Sequence, residues 1–287
     1  MPELPEVETV RRGLAPALEG RRLTRVALAR PDLRFPFPER FAERLTGARV
    51  LKLERRAKYL LASLDTGEIW AAHLGMTGRF SVTSATGTSR PGDFYYAAPP
   101  DPKHTHVRLW TDDGAEIAYN DARRFGYMTL IEPGGLAAHP LFAGLGPEPL
   151  GPELTPAYLA RAFASRSQSV KATLLDQRVV AGLGNIYVCE ALFRAQVSPL
   201  RAAGEVANAR LKPLVVAIRA VLAESLEVGG SSLRDYAGAD GAKGAFQNAF
   251  SVYDREEQAC LRPRCDGVVT RTVQAGRSSF WCPVCQS

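Results

Sequence analysis

Four cysteines near the C-terminal end restrict this chain more than any other feature. Cys260, Cys265, Cys282 and Cys285 form a C-x4-C pair, a sixteen-residue gap and a C-x2-C pair. Two close pairs joined by a hairpin-length spacer can set four thiolates tetrahedrally around one Zn²⁺. The segment is too short to bury a core of its own, so a metal would supply its folding energy. Two disulfides or free thiols would use the same residues, and a reducing compartment favours zinc over disulfides. Such a compartment is expected. The chain has no apolar run near the ~18 residues that span a membrane. Its first ten residues carry three glutamates and no basic residue, the reverse of a signal peptide. A cytoplasmic protein without a membrane partner follows. The fifth cysteine, Cys189, lies in an apolar helical stretch and reads as a packed core residue.

Its length of 287 residues calls for two or three compact units. Val7, Val10, Leu14 and Leu18 recur at helical spacing, predicting a helix over Glu3–Leu18 with Pro2 and Pro5 at its first turn. From Leu23 to about Ile131, short apolar runs (Val50–Leu53, Tyr59–Leu61, Glu68–Trp70, Val107–Trp110, Glu116–Tyr119, Met128–Ile131) alternate with turns such as Asp65-Thr66-Gly67 and Asp112-Asp113-Gly114. An antiparallel β-sandwich is predicted there. Ser84–Pro102 reads as a loop, and the Pro- and Gly-rich stretch 133–152 as a linker. Beyond it Thr155-Pro156 offers a helix cap, and Leu211–Leu226 a helix ended by Gly229-Gly230. The expected fold class is α+β. It has an antiparallel β-sandwich with an N-terminal helix over 1–134, a linker over 135–152, a helical domain over 153–250 and a zinc β-hairpin over 251–287.

Charge suggests a polyanionic partner. The net charge is +6, and Arg21–Lys58 holds twelve basic against four acidic residues. A concentrated positive region suits nucleic acid, and equally a solvated basic surface. The N-terminus adds chemistry. Removal of Met1 would leave Pro2 with a secondary amine whose pKa, near ~8, keeps a useful fraction neutral at pH 7. A helix N-terminus favours the neutral form further. Such an amine can form an iminium with an aldehyde-like carbon, with Glu3 or Glu6 beside it as general acid or base. Proline and glutamate are also ordinary first-turn residues.

Six segments settle between these readings by resemblance. Met1–Leu14 (MPELPEVETVRRGL), Arg55–Leu60 (RRAKYL), His73–Gly78 (HLGMTG), Asp121–Gly126 (DARRFG), Gly182–Tyr187 (GLGNIY) and the terminal cysteines, in this order, resemble bacterial formamidopyrimidine-DNA glycosylases (8-oxoguanine DNA glycosylases). The related endonuclease VIII branch typically begins Pro-Glu-Gly-Pro, whereas this chain has Pro-Glu-Leu-Pro, which favours the purine-lesion branch.

The resemblance implies a bifunctional glycosylase and AP lyase that acts on damaged double-stranded DNA as a monomer. It implies no obligate protein partner, one structural Zn²⁺, a helix–two-turn–helix element and a cytoplasmic location, on the nucleoid when DNA-bound. Pro2 would attack C1′ and displace the base, followed by β- and δ-elimination. Glu3 would be the general acid/base, and Lys58 a proton donor that also holds a phosphate. Met76, Arg123 and Phe125 would fill the space left by the extruded nucleotide, with Arg124 beside them on the DNA side. His73, His104, Arg166, Asn185 and Tyr253 match phosphate-contact positions, and Arg277 the hairpin arginine linked to δ-elimination. DNA would lie in a basic cleft between the two larger domains. On pattern alone Met76 and Phe125 are also plausible β-core residues, Arg123-Arg124 a surface ion-pair cluster and Lys58 a surface lysine. The first cysteine pair departs from the family's usual C-x2-C. The loop Asp235–Phe246, which would close over the flipped base, does not fix the lesion. An oxidised-pyrimidine glycosylase, a lesion-binding protein without activity and a zinc-dependent transcription factor are the rivals. The last leaves the N-terminal motif unexplained.

Overall fold

The computed structural model describes residues 2–92, 100–230 and 246–287. Residues 2–143 with 229–230 form one compact unit, and 144–228 with 246–287 another. The expectation for the Asp235–Phe246 loop lies outside the described residues, Phe246 excepted.

The first unit opens with helix α1 (Leu4–Leu18), close to the predicted span. Its apolar stripe is fully used: Leu4, Val7, Val10, Leu14 and Leu18 are all at most 4% exposed. Burying each is worth ~1.5–3 kcal/mol, so the helix is held by packing rather than by propensity. Strand β1 (Leu23–Leu28) and the short helix α2 (Phe41–Leu45) follow, and then the strands that the apolar runs predict. These are β2 (Val50–Arg56), β3 (Tyr59–Leu64), β4 (Ile69–His73), β5 (Arg79–Ser84), β6 (Gly87–Ser89), β7 (Thr105–Thr111), β8 (Glu116–Asn120) and β9 (Tyr127–Ile131). They make a four-stranded sheet, β2-β3-β4-β9, and a five-stranded sheet, β1-β7-β8-β5-β6. Every pairing is antiparallel. One core joins both sheets and the helix, with Leu14 and Leu18, Leu60 and Trp70, and Phe80, Leu109 and Ile117 in one cluster. The loop expected over Ser84–Pro102 is corrected in part. Gly87–Ser89 pairs back onto β5 across a turn at Thr86, because Thr83 and Thr88 can join hydroxyls at 3.1 Å.

The second unit is helical, as expected. Thr155 caps helix α3 (Pro156–Phe163) by accepting from Tyr158 N at 3.0 Å. Helix α4 (Val170–Leu175), a Gly-rich turn at 181–184 and helix α5 (Asn185–Arg194) make the two-turn element. Helix α6 (Asn208–Glu227) ends at Gly229 and Gly230, whose φ values of +78° and +98° suit glycine. The chain finishes in a hairpin, β10 (Thr270–Gln274) and β11 (Arg277–Trp281). Phe280, Val269 and Val252 pack against Cys189 and Phe193 of α5, so the hairpin borrows its core from the helix. No helix among the described residues is long and apolar enough to cross a membrane.

Candidate active site and nucleic-acid interface

In the first unit the residues expected to react lie toward one end of α1. Glu3 N donates to Glu6 Oε2 at 2.9 Å, so Glu6 caps the helix start. Pro2 is buried, and Glu3 and Glu6 are 4% and 1% exposed. Lys58 is led to the same end by strand β2. Glu19 Oε1 accepts from Leu53 N at 2.8 Å, and two residues on Arg55 pairs with Glu8 at 3.4 Å. The strand therefore runs back along the helix toward its N-terminus. The two-residue turn between Arg56 and Tyr59 is Ala57-Lys58. Ala57 holds φ +53° and is 1% exposed, and Lys58 is 5% exposed. A buried lysine replaces the surface lysine that pattern alone allows.

His73 ends β4 in an aromatic cage. Its ring stacks on Tyr127 (5.1 Å, 15°) and lies 5.0 Å from Tyr59, and the two tyrosine hydroxyls meet at 2.6 Å. Gly75 N donates to His73 Nδ1 at 3.0 Å, so the neutral ring carries its proton on Nε2. Burial, then the positive charges of Lys58 and Arg34, push its pKa down from 6.5 to about 4. Unfolded histidine takes up a proton near 6.5, whereas folded His73 waits until about 4. The folded state therefore binds fewer protons between those values. Stability from this group is complete above pH 6.5 and is lost as pH falls toward 4, a change on the order of 3 kcal/mol. Thermal melts from pH 7.5 to 4.5 should show this acid-side loss, and His73→Gln should flatten it. Parallel curves for the two proteins would remove His73 from the account.

The wedge candidates stand on two loops. Met76 is 37% and Phe125 42% exposed, which removes the reading of either as a core residue. Arg123 is exposed, and its guanidinium sits 4.6 Å over the Phe125 ring. Arg124 has φ +56° and lies 3.9 Å from Asp32. With Leu33 and Arg34, residues 123–125 line a pocket of about 380 Å³. His104 ends a 3-10 turn (Pro102–His104), and its carbonyl accepts from Asp121 N at 2.9 Å, which sets it beside the second loop.

The second unit assembles the other candidates. Arg166 and Arg277 line one pocket of about 380 Å³ together with Gln168, Lys171, Arg178 and Gln274. Asn185 is the first residue of α5, and its Nδ2 donates to Ser278 O at 2.9 Å, tying the two-turn element to β11. Lys171, 1% exposed, donates to Ser278 O (2.9 Å) and Ser279 Oγ (2.7 Å), the residues that follow Arg277. Glu190 on α5 accepts backbone N–H groups from Ser251, Val252 and Tyr253 at 2.8–3.1 Å. Tyr253 is thereby fixed 4.9 Å from Phe280. Sequence reasoning missed Lys171, Glu190 and Arg34. Its available signal was weak: a single charge inside otherwise apolar helical runs, V-K-A-T-L-L and Y-V-C-E-A-L.

The four cysteines converge, with all sulfurs within 4.8 Å of one another. Cys260 and Cys285 are 3.8 Å apart, Cys265 and Cys282 3.7 Å. A tetrahedron of Zn–S bonds ~2.3 Å long has edges of ~3.8 Å, so the set fits one zinc. The longer first knuckle closes because Arg264 adopts φ +63° and Cys265 N reaches Arg262 O at 3.1 Å. Burial first, then the neighbouring Cys282 and Cys260, push the Cys285 thiol up to about 12 against a lowering hydrogen bond from Arg262, so thiolates here need a cation. Gly267 is obligatory, since a Cβ there would meet Cys282 Sγ at 2.6 Å. The chain holds one structural zinc.

A β-sandwich entered by an N-terminal helix, a helix–two-turn–helix body and a zinc hairpin define the structural class. Comparison with known proteins narrows it. Residues 1–128 match the formamidopyrimidine-DNA glycosylase N-terminal domain, 145–237 its H2TH domain, and 263–287 the zinc finger found in FPG and IleRS. The finger match begins past Cys260 and takes in Cys265, Cys282 and Cys285. The formamidopyrimidine-DNA glycosylase of Caulobacter vibrioides is 59% identical over 286 residues, and that of Sinorhizobium fredii 55% over 295, each covering all of both chains. The MutM (Fpg) protein of Thermus thermophilus superposes with a TM-score of 0.82 at 39% identity over 99% of this chain and 98% of that one. Lactococcus lactis Fpg, solved with DNA containing an abasic site, gives 0.85 at 30% identity over the whole of both. The chain belongs to the formamidopyrimidine-DNA glycosylase family.

Proposed function

We propose that this protein excises oxidised purines, 8-oxoguanine and formamidopyrimidines, from duplex DNA and then cleaves the strand by β,δ-elimination. The carrying observation is the buried cluster at the start of α1, where Pro2, Glu3 and Glu6 occupy one helix end and the Ala57-Lys58 turn is directed to it. With Met1 removed, the Pro2 amine attacks C1′ of an extruded nucleotide and the base leaves with its electron pair, protonated at nitrogen. Lys58 is the proton donor to the base. The Pro2 nitrogen then loses its proton and its lone pair opens the sugar ring, breaking C1′–O4′ as O4′ takes a proton from Glu3, which leaves the iminium at C1′. The iminium activates C2′, Glu3, now a carboxylate, accepts the C2′ proton, and the 3′ phosphate departs. A second elimination expels the 5′ phosphate and leaves a one-nucleotide gap. Burial keeps water from competing at the iminium. Zinc supplies no chemistry here, since four thiolates fill its coordination; it holds β11, and so Arg277, in place.

His73, His104, Arg166, Asn185 and Tyr253 are proposed as phosphate contacts, together with Arg277. Each phosphate contact contributes a counterion-release term. Arg277→Ala should therefore weaken binding to damaged and undamaged duplex alike and lower the salt slope of log K by about 1. Filter binding from 50 to 300 mM salt reads this, and an unchanged slope removes Arg277 from the phosphate set. The Pro-Glu-Leu-Pro start and 59% identity over the full length to a formamidopyrimidine-DNA glycosylase support the purine lesion over the pyrimidine one. Borohydride trapping on duplexes with 8-oxoguanine opposite cytosine, and with an oxidised pyrimidine, tests the reading. Trapping mainly on the pyrimidine lesion would overturn the substrate, and binding without any adduct would overturn the chemistry.

A further inference from the structure

The two loops that carry the exposed wedge residues are joined by groups that do not themselves project toward solvent. The first loop, residues 74–78, follows β4; the second, residues 121–126, follows β8. Asp121 is 0% exposed. Its Oδ1 accepts from the Thr77 hydroxyl, and its Oδ2 accepts from Gly126 N at 2.8 Å and from the Tyr119 hydroxyl at 3.3 Å. Thr77 Oγ1 in turn accepts from Arg123 N at 3.0 Å. His106 Nε2 donates to Asp121 O at 2.9 Å, closing the network from the β7 side.

The glycines of both loops are fitted to the same joint. A Cβ at Gly75 would lie 2.2 Å from the Phe125 carbonyl carbon. At Gly126 it would lie 1.9 Å from the Tyr119 hydroxyl, and at Gly78 2.2 Å from that hydroxyl. The loops touch backbone to backbone at their roots, and side chains emerge only beyond the contact.

We infer that Thr77 and Asp121 are positioning residues that lock the two loops together, so that Met76, Arg123 and Phe125 enter the space vacated by the extruded nucleotide as one preformed body. This rests on the proposed excision and on the role that the family resemblance implies for Met76, Arg123 and Phe125, that of filling the space left by the extruded nucleotide. Hydrogen bonds to a buried carboxylate are strong and geometrically demanding, so the loops have one arrangement before DNA arrives. Independent loops would have to be ordered during insertion, and each ordered side chain would subtract from the binding that drives extrusion. Thr77 is the informative member. Its hydroxyl joins the loops and belongs to neither sheet, so its removal tests the joint without opening the sandwich core.

The experiment compares wild type, Thr77→Val and Thr77→Ser in single-turnover excision of 8-oxoguanine and in cleavage of a preformed abasic site, where no base need be unstacked. Thr77→Val is expected to slow excision about tenfold, the size of one lost charge-assisted hydrogen bond, while abasic-site cleavage changes less than about threefold. Thr77→Ser, which keeps the hydroxyl, is expected to stay within about threefold of wild type. In a Phe125→Ala background Thr77→Val should add less than about twofold, because the residue acts through the wedge. A 2-aminopurine beside the lesion should brighten less on binding Thr77→Val than on binding wild type. Equal losses on both substrates, Thr77→Ser behaving like Thr77→Val, or full additivity with Phe125→Ala would overturn the inference. If wild type bound lesions without cutting, the enzymatic reading would be what failed. The 2-aminopurine signal would still decide on the loops, and an undiminished signal in Thr77→Val would sink the inference.

Discussion

A chain that keeps a residue ahead of Pro2 is expected to bind lesion-containing duplex DNA and to give no covalent adduct with borohydride. An added residue converts the Pro2 nitrogen into an amide, whose lone pair is delocalised into the carbonyl and cannot attack C1′. Loss of a nucleophile that acts in concert with its proton-transfer partners removes most of the rate enhancement, on the order of 10⁴-fold or more. Binding should change by less than about threefold, because phosphate contacts supply most of it. Excision assays with a defined N-terminus, checked by mass spectrometry, together with a titration, separate the two quantities. A persistent adduct on the extended chain would mean that another amine is the nucleophile. Lys58 is the buried lysine among the described residues of the same unit, so Lys58→Ala would then be the next variant.

Loss of the zinc is expected to be nearly as severe, by another route. Cys282 is 0% exposed and its neighbours Phe280 and Val269 pack on α5. A structural zinc of this type contributes ~10–16 kcal/mol to a small domain, more than so small a hairpin can replace by burial. Cys282→Ser, or a strong chelator, should release one zinc per chain and unfold residues from about Cys260 onward. The anchorage of Arg277 through Ser278 and Ser279 goes with it. Affinity for lesion DNA should fall at least ~100-fold, since several phosphate contacts of ~1 kcal/mol or more are lost together. Metal analysis with anisotropy titration checks both halves. Undiminished affinity in the metal-free chain would show that the hairpin contributes nothing to binding.

Different parts of this molecule were legible to different degrees, for physical reasons. Helix α1 and α6 announce themselves by 3.6-residue periodicity, and the cysteines by spacing, because both signals are local. The β strands were read from short apolar runs, while β6, three exposed residues, offers no apolar signal. Met76 and Phe125 resemble core residues because alternation cannot show that a strand has already ended. The groups that hold the sites together were the least visible. Thr77 and Asp121 are 44 residues apart, Glu190 and Val252 62, and Lys171 and Ser279 108. No window of sequence contains both partners. The chemistry at Pro2 rests on residue type and resemblance together, since the residues alone also describe an ordinary helix start.

Ala57 carries a consequence of its own. It must hold φ +53°, which disfavours every β-branched or bulky residue, and it is only 1% exposed, so a longer chain would have to be packed into the interior. Glycine would relieve the torsion, yet would loosen the turn that presents Lys58. The alphabet open to this codon is therefore close to two letters. Divergence among relatives at this point should be as narrow as at a residue that touches substrate, although Ala57 contributes no functional group at all.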